Sequence, residues 1–245
     1  MKGYRISLIR HGLTKAADEG RYIGITNYPL SEEGRALLSE KYDSYTYPRV
    51  QKVYTSPLRR CEQTAQLLFP STMLQEVDDL REMDFGAFEG KTVDELIGLP
   101  EYKEWLKGGA DNAPPDGESV RELMVRCFAA LDEVLRDMMQ EGLTHCAIVT
   151  HSGIITNMLS CFGLPKYSPE ALSCKPGEGF EILVSAQMWQ LGNTFEILGR
   201  IPDTRPAEER DYDDEYSCGR GFGMDEDLYD EDDDCDCGCG HHHEV

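Results

Sequence analysis

No run of apolar residues in this 245-residue chain approaches the ~20 needed to cross a bilayer. The N-terminus lacks a charged segment followed by an extended apolar stretch, because Arg5 and Ser7 interrupt the first hydrophobic run, so no secretory signal is expected. Positive charge is scarce, with 24 Lys and Arg against 46 Asp and Glu and a net charge of −22. That balance argues against nucleic-acid binding and against adhesion to an anionic membrane, both of which need basic surface. The nine cysteines contain no C-x2-C pair with a second half-site, so no zinc finger is expected. Five of them (Cys61, Cys127, Cys146, Cys161, Cys174) fall within a core large enough to fold without cross-links. Reduced, buried thiols in a cytoplasmic protein are the expectation.

The negative charge is unevenly placed. From Asp203 onward the chain holds 17 of its acidic and 3 of its basic residues, a net of −14 that leaves only −8 for everything before it. A run such as Asp230-Glu231-Asp232-Asp233-Asp234 cannot bury enough apolar surface to fold. The division expected is therefore one domain over 1–201 and a disordered acidic tail over 202–245. The tail ends with Cys235, Cys237 and Cys239 alternating with other residues, followed by His241, His242 and His243. Those side chains suit Zn²⁺, Cu⁺ or Ni²⁺, and transition-metal binding by the tail is a candidate property.

Within the domain, the chemistry-bearing residues stand at the ends of apolar strands. Tyr4-Arg5-Ile6-Ser7-Leu8-Ile9 runs into Arg10-His11-Gly12, and Ala147-Ile148-Val149-Thr150 runs into His151-Ser152-Gly153. In an open α/β sheet, ligands sit outside the carboxyl ends of the strands. A neutral imidazole can attack phosphorus, and a guanidinium fork matches phosphate oxygens. Two further stretches lie between, Tyr54-Thr55-Ser56-Pro57-Leu58-Arg59-Arg60-Cys61 and Leu80-Arg81-Glu82-Met83-Asp84-Phe85-Gly86.

These four motifs, in this order, resemble the histidine phosphatase superfamily, the phosphoglycerate-mutase-like fold, over about residues 4–201. The resemblance implies that His11 is the nucleophile that becomes phosphohistidine, that Arg10, Arg60 and His151 grip the phosphoryl group, and that Glu82 protonates the leaving oxygen. Arg60 rather than Arg59 falls at the motif's catalytic position, leaving Arg59 as a solvated cation. The scheme needs no cofactor or metal at the active site. It needs Glu82 to hold a proton near neutral pH, hence a burial-raised pKa, and it sets a protonated His151 beside a neutral His11. Arg21 and Tyr22, in the loop after His11, are candidates for substrate contact.

Family mutases usually carry Asn six residues after the nucleophile, where this chain has Ala17, and they need a longer stretch between Glu82 and His151. The basic residue often found past the second His motif is also missing, with Thr156 near that place. The resemblance therefore implies a phosphatase for small phosphorylated metabolites, closest to the α-ribazole phosphatase and broad-specificity sugar phosphatase group. A phosphoglycerate-type mutase, or a catalytically weak binding module with a metal-binding tail, is the alternative.

Alternating elements predict a three-layer α/β/α sandwich around a mainly parallel sheet. Strands are expected over 4–9, 52–55, 73–77, 145–150, 180–185, 187–191 and 194–200. Helices are expected after an N-cap at Ser31, in the second motif, after a capping box at Thr92, over 118–141 and over 153–162. The segment 83–118, with Tyr102, Trp105, Lys107 and a Pro114-Pro115-Asp116-Gly117 turn, reads as an insertion forming a helical cap with its own small core.

Overall fold

A computed structural model of the chain describes residues 3–203. Strand β1 (Gly3–Arg10) leads through a one-turn helix α1 (Lys15–Asp18) to α2 (Glu32–Ser44), and β2 (Lys52–Thr55) runs into α3 (Arg59–Leu68). Next come β3 (Leu74–Glu76), the short helices α4 (Val93–Leu96) and α5 (Pro100–Trp105), and the long α6 (Val120–Glu141). Then follow β4 (His145–Thr150), α7 (Ser152–Phe162), β5 (Gly163–Leu164), β6 (Gly179–Ser185), α8 (Ala186–Gly192) and β7 (Phe195–Ile201).

The strands form one seven-stranded sheet in the order β3-β2-β4-β1-β6-β7-β5. β3, β2, β4 and β1 pair in parallel, β5 is parallel to β7, and β6 alone runs against its neighbours. The expected mainly parallel α/β architecture is what the chain adopts. Its layers follow from the period-two alternation of side chains along the strands. Ile6, Leu8, Cys146, Ile148, Ile182 and Val184 point into one apolar cluster with Leu131, Leu135 and Met138 of α6, Ile155 and Met158 of α7 and Trp189 of α8. Ile9, Val53, Ala147 and Val149 point to the other, with Leu38 of α2 and Cys61, Ala65 and Leu68 of α3. Both faces are covered, which is why β1 and β4 read as continuous apolar runs.

Helix starts match their capping chemistry. Ser31 accepts the Gly34 amide, and Thr92 and Ser119 each form a capping box, with Glu95 and Glu122. The segment 187–191, expected as a strand, is instead helix α8. Ser185 caps it by accepting the Met188 amide, and its one buried side chain, Trp189, donates from Nε1 to Asp132 at 3.1 Å and stacks on Phe128. Leu191 near its end is 80 % exposed. The expected tail, including Cys235, Cys237, Cys239, His241, His242 and His243, lies outside the described residues beyond Asp203.

Where β6 meets β1, Gly179 pairs with Ile9, and a Cβ at Gly179 would lie 1.7 Å from the Leu8 carbonyl oxygen. No side-chain rotation relieves a clash with backbone in mid-sheet. Gly179→Ala is expected to cost about 2–3 kcal/mol, read as a lower urea midpoint at unchanged slope.

Candidate active site

Two neighbouring parallel strands bring the histidines together. Arg10 at the end of β1 is in register with Thr150 at the end of β4, and the His11 amide donates to the Thr150 carbonyl at 2.9 Å. The two imidazoles follow side by side, edge to face, with ring centroids 5.0 Å apart. The third side of the site is the turn from β2 into α3, which places Arg60 in the first turn of that helix. The fourth is the loop after β3, which carries Glu82.

His11 is set up as a nucleophile by one short contact. Its Nδ1 lies 2.6 Å from the Gly12 carbonyl oxygen, and a carbonyl can only accept, so Nδ1 bears the proton. Burial, with help from Arg60 and Arg10, pushes the ring's pKa down to about 3 despite that bond. A neutral ring with its proton on Nδ1 has a free lone pair on Nε2.

Arg60 is fully buried, and three of its five N–H groups are taken by the protein. Nη1 donates to the Thr26 carbonyl at 2.8 Å, Nη2 to the Gly24 carbonyl at 2.7 Å, and Nε to Nδ1 of His151 at 3.3 Å. The last contact fixes the tautomer of His151. Because Nδ1 accepts, the neutral ring carries its proton on Nε2 and donates to Ser56 Oγ at 2.9 Å. Burial, followed by the charge of Arg60, holds His151 well below the usual histidine pKa. The expectation of a protonated His151 is therefore corrected, since a buried imidazole facing a guanidinium stays neutral. Here it orients Arg60. The Cys61 thiol beside it, 3.4 Å from Nε2, is pushed up to about 12 by burial and stays un-ionised.

Arg10 donates from Nη1 to the Cys174 carbonyl at 2.8 Å, while its Nε is buried without a partner among the described residues. An unpaired buried donor of this kind is costly unless something accepts from it. Arg59, by contrast, is exposed, as expected of the solvated neighbour.

Glu82 is almost fully buried, its Oε1 accepting the Met83 amide at 3.0 Å and Oε2 the Gly153 amide at 3.2 Å. Burial raises its pKa and outweighs the two amides and Arg60, which lower it. That upward direction is the one a proton donor requires. Gly153 makes the room: a Cβ there would sit 2.5 Å from Glu82 Oε1. Gly153→Ala is expected to displace the carboxyl and lower kcat/KM by ~10–100-fold for an alkyl phosphate, and much less for p-nitrophenyl phosphate, whose leaving group needs no proton. Steady-state kinetics with both substrates will show it.

Arg21 and Tyr22 serve the cap rather than the histidine cluster. Arg21 pairs with Glu19 at 2.7 Å and donates to the Gly90 carbonyl. The Tyr22 hydroxyl meets that of Tyr102 at 2.7 Å, and its ring packs against Phe85 and Trp105. With Phe88 and Leu96 these rings form a small core, as expected of a helical cap, which Phe85 joins to the cluster on the α6 side of the sheet, and Lys107 lies on its surface paired with Glu104.

Sequence reading missed the supports of the arginine clamp. The Gly24 and Thr26 carbonyls have no side-chain signature. Glu89 pins the loop that carries them, Oε1 accepting the Ile25 amide at 3.1 Å and Oε2 the Thr26 hydroxyl at 2.5 Å. Ser56, the partner of His151, lay inside a quoted motif but had no assigned role.

The sequence profile of the histidine phosphatase superfamily (branch 1) matches residues 6–192, and the chain belongs to that superfamily. A protein of Enterobacter sp. (strain 638) named as a probable phosphoglycerate mutase, GpmB, is 31% identical over 175 residues, which cover 69% of this chain and 79% of that one. The α-ribazole phosphatase of Shigella flexneri superimposes with a TM-score of 0.65 at 22% identity, covering 80% of this chain and 95% of its own. A mycobacterial glucosyl-3-phosphoglycerate phosphatase gives 0.66 at 21% identity, covering 81% and 98%. These two likenesses show the shared fold. No helix among the described residues is long and apolar enough to cross a membrane.

Proposed function

We propose that this protein hydrolyses small phosphomonoesters, of the sugar phosphate or α-ribazole phosphate type, through a phosphohistidine at His11. The observation that carries the reading is the His11 ring, neutral, with Nδ1 tied to Gly12 and with Arg10 and Arg60 beside it. Nε2 attacks phosphorus while the two guanidinium groups neutralise the equatorial oxygens. Protonated Glu82 gives its proton to the departing alkoxide. The resulting carboxylate then takes a proton from water as it attacks the phosphohistidine, the phosphorus–nitrogen bond breaks, and phosphate leaves. Stabilising charge comes from Arg10 and Arg60, so no metal enters the scheme. A cytoplasmic setting belongs to the same proposal, supported by five free cysteines among the described residues.

The mutase reading draws on the name of the 31% identical relative. Beside Glu82, however, a cavity of about 310 Å³ is lined by Asp84, Asp116, Glu118 and Glu122 and by two basic residues, Arg81 and Arg126, the second already paired with Glu118, so acidic groups outnumber basic ones there. Such walls disfavour a second anionic group on the substrate, such as the carboxylate of a phosphoglycerate. The test is phosphate release from p-nitrophenyl phosphate, sugar phosphates, α-ribazole phosphate and phosphoglycerates with EDTA present. Hydrolysis that survives chelation and favours the neutral alcohols is expected. Isomerisation of phosphoglycerate without phosphate release would select the mutase instead.

A further inference from the structure

Arg126, in the second turn of α6, uses all five of its N–H groups, yet the scheme above does not call on it. Nε and Nη2 hold both oxygens of Glu118, at 2.9 and 2.7 Å. Nη1 donates to the carbonyls of Asp79 and Arg81, each at 2.7 Å, and Nη2 reaches the carbonyl of Glu82 at 3.4 Å. Glu118 continues the stitching past Glu82: its amide donates to the Asp84 carbonyl at 2.8 Å, and Oε2 accepts the Asp84 amide at 3.4 Å. The backbone on both sides of Glu82 is thus fastened to one largely buried ion pair. Three converging carbonyls need a planar fork of donors, which a lysine ammonium cannot reproduce.

We propose that Arg126, clamped by Glu118, is a positioning residue for proton transfer, fixing the backbone of Glu82 so that its carboxyl stays aimed at the leaving oxygen. The proposal rests on Glu82 being the proton donor. Although Arg126 borders the cavity beside Glu82, its donors are all held by the protein, and in this proposal it acts through Glu82. The groups facing that carboxyl are Arg60 and Cys61 from α3, Arg126 and Cys127 from α6, and the amides of Met83 and Gly153. Both thiols are un-ionised, pushed up to about 12 by burial, so Arg60 and Arg126 are the only charges among these groups.

The test compares kcat/KM for ribose 5-phosphate, a poor leaving group, with that for p-nitrophenyl phosphate, a good one. The variants are Arg126→Lys, Glu118→Gln, Glu82→Gln and the double variant Glu82→Gln/Arg126→Lys. Arg126→Lys is expected to lower the sugar phosphate value ~30–100-fold more than the nitrophenyl value, a share of the 10²–10⁴ that a general acid supplies. Adding it to Glu82→Gln is expected to cost less than about threefold more, because a residue acting through Glu82 has nothing left to position. Equal losses on both substrates, or a full additional loss in the double variant, would mean a merely structural role and overturn the proposal. If Glu82→Gln is selective for poor leaving groups and Arg126→Lys is not, only this proposal fails. If Glu82→Gln shows no selectivity, the proton-donor assignment itself fails and takes the proposal with it. Should Arg126→Lys not fold, Glu118→Gln carries the same comparison with the guanidinium retained.

Discussion

His11→Ala is expected to lower phosphate release from every substrate by at least ~10⁴-fold, because water would have to attack phosphorus directly and the covalent route would be gone. Binding should survive, since Arg10 and Arg60 are untouched, so the variant should still bind inorganic phosphate within a few-fold of the wild type. The fold should survive as well. The His11 side chain is partly exposed, and its single polar bond is to the carbonyl of the next residue, Gly12. A change in Tm of no more than about 3 °C is therefore expected. The decisive measurement is acid-labile labelling of the protein in a rapid quench with radiolabelled substrate. Label in the wild type and none in His11→Ala is the expected result. Label retained by His11→Ala would assign the nucleophile elsewhere.

The second large effect is on pH dependence. With Glu82 raised by burial, its acid form persists toward neutral pH, whereas His11, pushed down to about 3, stays deprotonated over the whole working range. The first step needs both states at once. Activity on an alkyl phosphate should therefore fall as pH rises through the Glu82 pKa, approaching tenfold per unit beyond it. On the acid side no loss from His11 is expected until pH nears 3. The substrates' own second ionisations lie near ~6 but differ, the nitrophenyl ester being the more acidic, so the ratio is compared between wild type and Glu82→Gln, where that contribution is common to both. The ratio of kcat/KM for ribose 5-phosphate to that for p-nitrophenyl phosphate should decline with rising pH in the wild type relative to Glu82→Gln. The same pH profile of the ratio in both proteins would remove Glu82 as the donor.

The parts of this protein that could be read from sequence are those where one residue type announces a local geometry. β2 and β4 fall at 52–55 and 145–150 as expected, because short β-branched and apolar runs buried on both faces leave no other place for the strand. Arg10, His11 and His151 were legible because each stands where such a run ends. Helix α8 departs from the expected strand because Ser185 caps its start and it buries Trp189 alone, leaving Leu191 in water. His151's protonation was misjudged for a different reason. The motif shows that a histidine is present, but not that Arg60 approaches it through Nε. The carbonyls of Gly24 and Thr26, and those held by Arg126, were invisible in principle, since every residue has one and only folding selects which are used.

The cap built from Tyr22, Phe85, Phe88, Leu96, Tyr102 and Trp105 has its own apolar cluster, joined to the one on the α6 side of the sheet through Phe85. The histidines and arginines, by contrast, are set by strand register and helix starts. The strands that carry His11 and His151 are therefore built outside the cap. A cap redesigned within its aromatic cluster is expected to leave those strand ends in place. For enzyme engineering this makes 85–118 the natural unit of exchange, with Phe85, Glu89, the turn at Pro114–Gly117 and the Arg126–Glu118 pair as the seam that a graft has to preserve, since Glu89 holds the loop that clamps Arg60.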